Sequence, residues 1–145
     1  MARRVFFSFD YHKDFQRANQ IYDLNVVGGA DLAGFFNPSD VEEASQKGKE
    51  AIQRLILKHL DNTCVTVVLI GSETADDLWV KYEIEQSIAR QNGLLGIDVH
   101  HLKDRSGQSS PRGRKPSVPG WVQFPIYDWD GNLAGYFFPS LVITV

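Results

Sequence analysis

The sequence predicts an α/β domain: a parallel sheet with helices on both faces. Three observations carry this. Residues 64–71, CVTVVLIG, form a near-continuous apolar, β-branched run, as in a central parallel strand covered on both sides. RVFFSF at 4–9 is a second run, aromatic and β-branched. Between and after them lie stretches with helical apolar spacing, so strands and helices alternate, and that alternation implies parallel strands joined by right-handed crossovers.

Taken in order, the strand at 4–9 leads into a helix on which Phe15, Ala18, Ile21 and Tyr22 fall at helical spacing. A glycine-bearing connection, NVVGGADLAGFFNPSD, carries a short strand expected at 33–36. Asp40 reads as an N-cap. Apolar residues at 41, 44, 51, 52, 55, 56 and 60 then make one long amphipathic helix, with Gly48 as its soft point. After the strand at 64–71, whose first residue Cys64 is expected to be a small buried hydrophobe, a helix spans about 75–91 and stops at Asn92-Gly93. LLGIDV, 94–99, is the next strand.

Beyond residue 101 the composition changes. KDRSGQSSPRGRKPSVPG is rich in Ser, Pro, Gly and Arg, and reads as an exposed, mobile loop over 102–120. Residues 121–145 hold extended aromatic stretches around Asp130-Gly131, from which a fifth strand near 122–127 and a hairpin-like ending are expected. All 145 residues fit a single domain with one core.

Composition narrows the function. Charged residues make up 23% and apolar ones 43%, which argues against global disorder. Fifteen basic against eighteen acidic side chains leave a net charge of −3, so no broad nucleic-acid-binding surface is expected. A single cysteine allows no intrachain disulfide, and a reducing cytoplasm is the natural home. No segment is long and apolar enough to span a bilayer, and Asp10 ends the first apolar run too early for a signal peptide.

Several familiar sites fail on their spacing. No G-x-x-x-x-G-K-[ST] supports a P-loop, and GGADLAG lacks the G-x-G-x-x-G spacing of a dinucleotide fold. A receiver domain would need an acid at the end of VVLIGS. His100-His101 is not a metal pair if it continues the strand, because neighbours there point to opposite faces, and no metal site is expected. Ser8 and Ser72 each end a strand, but no His-Asp partnership for a hydrolase triad can be read.

One constellation is left. In doubly wound sheets, ligands bind beyond the carboxyl ends of the strands, where strand order reverses. Ser8, Phe9 and Asp10 follow the first strand there, and Ser72 follows the central one. Trp79 and Glu83 lie in the first turns of the next helix; they share a stripe beside the Val80–Ile84–Ile88 face expected to be buried. A flat aromatic, a carboxylate and backbone donors could hold a nucleotide and its ribose. The plain alternative is a boundary Trp, a solvated Glu, a core Phe9, a loop Asp10 and serines that cap turns.

The order RVFFSF, then VTVVLIGS, then W-V-K-Y-E-I resembles the signature boxes of TIR domains over residues 3–101. It is most similar to the TIR-like branch containing the ThsB proteins of the bacterial Thoeris antiphage system. The resemblance implies a flavodoxin-like sheet and an enzyme that cleaves the nicotinamide–ribose bond of NAD. NAD would be substrate, with no cofactor. The catalytic carboxylate would be the Glu of W-x-x-x-E, which is Glu83; Glu85 falls on the far side of the buried helix face. The product implied is a cyclic ADP-ribose isomer that activates a ThsA-type effector. Ser8, Phe9, Asp10, Ser72 and Trp79 would form the substrate site around Glu83. Asp10 and Tyr11 stand where many TIR domains carry basic residues. The competing reading is a non-catalytic TIR-like module that works by self-association or by binding a nucleotide.

Overall fold

The computed structural model describes residues 4–25, 31–33 and 38–129, and the statements below concern these residues. Strand β1 (Arg4–Ser8) is followed by helix α1 (Tyr11–Asn25) and strand β2 (Asp31–Ala33). Helices α2 (Pro38–Lys47) and α3 (Lys49–Leu60) precede the central strand β3 (Val65–Ile70). A single 3-10 turn, Thr74–Asp76, leads to helix α4 (Leu78–Ala89), then strands β4 (Gly93–Asp98) and β5 (Ile126–Asp128).

The sheet runs β2-β1-β3-β4-β5 and every neighbouring pair is parallel. This is the expected flavodoxin-like order. The chain steps outward from β1 to β2, then returns to the other side of β1, so strand order reverses between β1 and β3. Alternation along the strands sorts the core into two layers. Val5, Phe7 and Phe9 join Val67, Leu69 and Ile97 beneath Ala18 and Ile21 of α1. On the opposite face, Val68 and Ile70 meet Val80 and Ile84 of α4, while Phe6 meets Ile56 and Leu60 of α3. Each such fully buried aliphatic side chain contributes about 1.5–3 kcal/mol, which is why β1 and β3 read so clearly.

Several boundaries differ from expectation. The long helix expected over 41–60 is two helices, because Gly48 adopts φ 109° and ψ −177°, a backbone region open in practice only to glycine. Helix α2 starts at Pro38, whose fixed φ suits a first helical position, so Asp40 lies inside the first turn. Strand β2 sits at Asp31–Ala33, earlier than the expected 33–36; residues 34–36 lie outside the described set. Gln91, not Asn92-Gly93, takes the left-handed φ of 63° after α4, and Gly93 already pairs in β4.

The C-terminal region is more orderly than its composition suggests. β5 begins only at Ile126, because Pro125 has no N–H to donate; its carbonyl still accepts from Gly96 N at 2.8 Å. The Asp130-Gly131 turn lies outside the described residues. The loop expected to be mobile is exposed but pinned to α1. The guanidinium of buried Arg17 bonds the carbonyls of Leu102 (2.7 Å) and Gln108 (2.9 Å) and the carboxylate of Asp14 (2.9 Å). Gly113 backs onto the carbonyl of Gly71, and Gly71 backs onto the Asp14 carboxylate; a Cβ at either glycine would collide. Cys64 is exposed rather than buried, because β3 starts one residue later.

Candidate active site

Helix α4 is positioned by its first residues. Asp77 stands at the N-cap, and its Oδ1 accepts from Trp79 N at 2.8 Å and Val80 N at 3.0 Å, satisfying two of the donors a helix leaves open. From there Val80, Glu83, Ile84 and Ser87 turn inward and are buried. The stripe that holds Trp79 and Glu83 is therefore not the solvated margin of the helix. Part of it lies against the sheet.

Glu83 is only 4% exposed. Its Oε1 accepts a 2.7 Å hydrogen bond from Ser8 Oγ, at the carboxyl end of β1. Burial pushes its carboxyl up from 4.5 to about 8; the Ser8 bond opposes that rise, and the negative charge of Asp77 adds to it. The half-buried Asp77 carboxyl is itself raised, chiefly by burial and against the pull of its two backbone donors.

Glu83 opens onto a cleft of about 660 Å³ of empty volume, part of it continuous with solvent. Phe7, Phe9, Tyr11 and His12 from β1 and the start of α1 form one side, with Asp77 and Trp79 beside Glu83. Val41 and Ala44 of α2 and Ile52, Leu55 and Ile56 of α3 form an apolar wall, with Ser45 of α2 beside it. The cleft lies at the carboxyl end of β1, on the side where α3 and α4 cover the sheet. Phe9 packs in the core and stacks near Tyr11, with ring centroids 6.3 Å apart and planes inclined by 22°. Trp79 meets Tyr82 edge-on, with centroids at 6.0 Å.

Of the residues singled out in the sequence, Phe9, Trp79 and Glu83 line this cleft, and Ser8 reaches it through Glu83. Asp10 and Ser72 do not line it. Asp10 is buried and its Oδ1 accepts from His12 N and Lys13 N, each at 3.1 Å, as the cap of α1. The carbonyl of Ser72 lies against Gly113, beside the 112–114 segment. Asp77 and the α2–α3 wall were missed. An Asp directly before the apolar-periodic LWVKYEI was a readable N-cap signal; the wall is a long-range contact with no local signature. His100 and His101 lie beyond β4 in a turn, so the opposite-face argument does not apply to them; their rings touch edge to face at 5.4 Å. Among the described residues, no three His, Cys, Asp or Glu side chains gather as a metal site would require.

The family description "Thoeris protein ThsB, TIR-like domain" matches residues 6–104. The chain belongs to the ThsB TIR-like family. It is also 39% identical over 143 residues to a Bacillus cereus (strain MSX-D12) protein named "Putative cyclic ADP-D-ribose synthase ThsB1", covering 91% of this chain and 73% of that protein. The family match runs from within β1 to beyond β4 and contains every residue that lines the cleft, Glu83 included. No helix among the described residues is long and apolar enough to cross a membrane.

Proposed function

We propose that this ThsB-family protein is an enzyme that cleaves the nicotinamide–ribose bond of NAD and closes the remainder into a cyclic ADP-ribose isomer. The observation that carries the reading is a carboxylate, Glu83, buried at the switch point of the sheet and flanked by Phe9 and Trp79 in one cleft. The name of the Bacillus cereus relative supports the same chemistry. The product would act as a signal in antiphage defence on a ThsA-type effector.

The chemistry follows from charge. Nicotinamide in NAD is a cationic pyridinium, so when the bond from ribose C1′ breaks, its electron pair neutralises the ring and no acid is needed for departure. Positive charge develops on the ribose, as in other glycosidic cleavages. An ionised Glu83 beside the ribose stabilises that charge, and does so strongly in a site with little water. The ring closes when a nucleophilic group of the same molecule bonds to C1′ and gives up its proton, for which the cleft supplies Glu83 as a base. The apolar wall of α2 and α3 favours this intramolecular partner by excluding water. Trp79 offers a face for a flat ring.

The raised carboxyl has a consequence for binding. Burial favours the neutral form of the Glu83 carboxyl. A bound pyridinium favours the charged form, so substrate binding and proton loss are coupled. Incubating the protein with NAD and separating the products tests the reading. Nicotinamide and a cyclic product in equal amounts support it; linear ADP-ribose alone would indicate a hydrolase; intact NAD, also in lysate of phage-infected cells, would leave a binding module.

A further inference from the structure

Glu83 is held at two points by hydroxyls, one from β1 and one from the next turn of α4. Its carboxylate takes the Ser8 bond from β1. Its backbone carbonyl accepts from Ser87 Oγ at 2.7 Å. That bond uses the only hydroxyl proton of Ser87, so in the 2.7 Å contact between Ser87 Oγ and Thr66 Oγ1 the donor is Thr66, on β3. Thr66 in turn accepts from Asn92 Nδ2 at 3.2 Å. Strands β1 and β3 are the pair between which the sheet reverses; β1 reaches Glu83 directly, and β3 reaches it through Ser87.

The two contacts do different things. The Ser87–Thr66 pair fixes the helix on the sheet. The Ser8 bond fixes the carboxylate itself. Ser8 is fully buried at the end of β1, paired in register with Val68, and does not line the cleft. A hydroxyl has one proton, and that of Ser8 points at Oε1. With Oε1 engaged, Oε2 is left for a ligand in the cleft.

We propose that Ser8 is a positioning residue: it anchors one oxygen of Glu83 so that the other is presented to the ribose, and it does not itself touch the substrate. This rests on the reading of Glu83 given above. Because the hydrogen bond favours the charged carboxylate, its loss makes Glu83 harder to ionise. Its loss also frees the carboxylate to rotate. Above the Glu83 midpoint, where the proton is already lost, the freed carboxylate slows turnover more than it weakens binding.

The test is the titration of Glu83, followed by NMR of protein carrying 13C-labelled glutamate and assigned by the signal lost in Glu83→Gln. In Ser8→Ala the midpoint is expected to move to higher pH, and in Ser8→Thr to return toward the wild-type value. Ser8→Cys, nearly equal to serine in size but a weaker donor, is expected to resemble Ser8→Ala and covers a void effect. Ser87→Ala is expected to lower Tm with the Glu83 midpoint unchanged. With NAD, at a pH above both midpoints, Ser8→Ala is expected to lower kcat about ten-fold or more while KM changes less than about three-fold, the size of a hydrogen bond to a charged group. An unchanged midpoint in folded Ser8→Ala, an equal shift in Ser87→Ala, or a loss confined to KM would overturn the proposal. A shifted midpoint in a protein that never releases nicotinamide would keep the Ser8–Glu83 linkage and reject the catalytic reading alone.

Discussion

Trp79 and Glu83 stand one helical turn apart on α4, and both face a single cleft whose opposite wall is built by α2 and α3. The spacing of W-x-x-x-E thus places a ring face and a carboxylate side by side. Asp77, two residues before Trp79, caps the helix and adds negative charge to the same corner.

Stability is expected to depend on pH through Glu83. Its folded carboxyl titrates near 8, above the ordinary 4.5. The folded state therefore binds the proton more tightly, so the contribution is complete below about pH 4.5 and is lost as pH rises through about 8. Full expression of the shift corresponds to roughly 5 kcal/mol. Glu83→Gln lacks this loss, so its Tm relative to wild type should rise from about pH 5 and level off above about pH 8. Parallel Tm curves for the two proteins would contradict the burial of an ionisable Glu83.

Asp77 separates two effects. Asp77→Asn keeps a capping acceptor but removes the charge that helps raise the Glu83 carboxyl. The rising limb of the activity profile should move to lower pH with Tm nearly unchanged. Asp77→Ala loses the cap as well and should cost about 1 kcal/mol in denaturant melts.

Trp79→Ala should weaken NAD binding more than it slows the chemical step. Stacking of a base on an aromatic side chain contributes about 1–3 kcal/mol, which corresponds to an increase in KM of about five-fold or more. Trp79→Phe should recover part of it. Titration calorimetry on a Glu83→Gln background reads the binding loss without turnover.

Arg17 should prove the fastening of the C-terminal loop. Arg17→Met removes four hydrogen bonds, to the carbonyls of Lys13, Leu102 and Gln108 and to Asp14, and leaves the raised, buried Asp14 carboxyl without its cation. A loss of about 3 kcal/mol is expected, along with faster amide exchange at residues 102–110. Exchange unchanged there would mean that other contacts hold the loop.

How much of this was legible in the sequence depends on the range of the signal. Buried strands announce themselves by composition, so β1, β3 and β4 fall almost where expected, and the order of elements gives the sheet. Gly48 split a helix that periodicity alone could not divide, because a backbone angle leaves no trace in the apolar pattern. Loop 102–120 looked loose because its anchors, Arg17 and Gln20, lie some eighty residues earlier. In the site, Phe9, Trp79 and Glu83 were reachable from strand ends and helical spacing. Ser8 was named as a substrate contact, but its hydroxyl is spent on Glu83. Asp10 was read as a ligand group where its position before α1 marked a cap. Ser72 shared the strand-end logic but faces the Gly113 segment.

The most direct test is nicotinamide release from NAD by the purified protein beside Glu83→Gln, with circular dichroism verifying that both are folded. The assay runs at high protein concentration, with and without lysate of phage-infected cells. Release by the wild type that falls to background in Glu83→Gln is the expected result, and it makes the buried carboxylate the catalytic group. Equal release from both proteins, or none from a folded wild type under either condition, would contradict it.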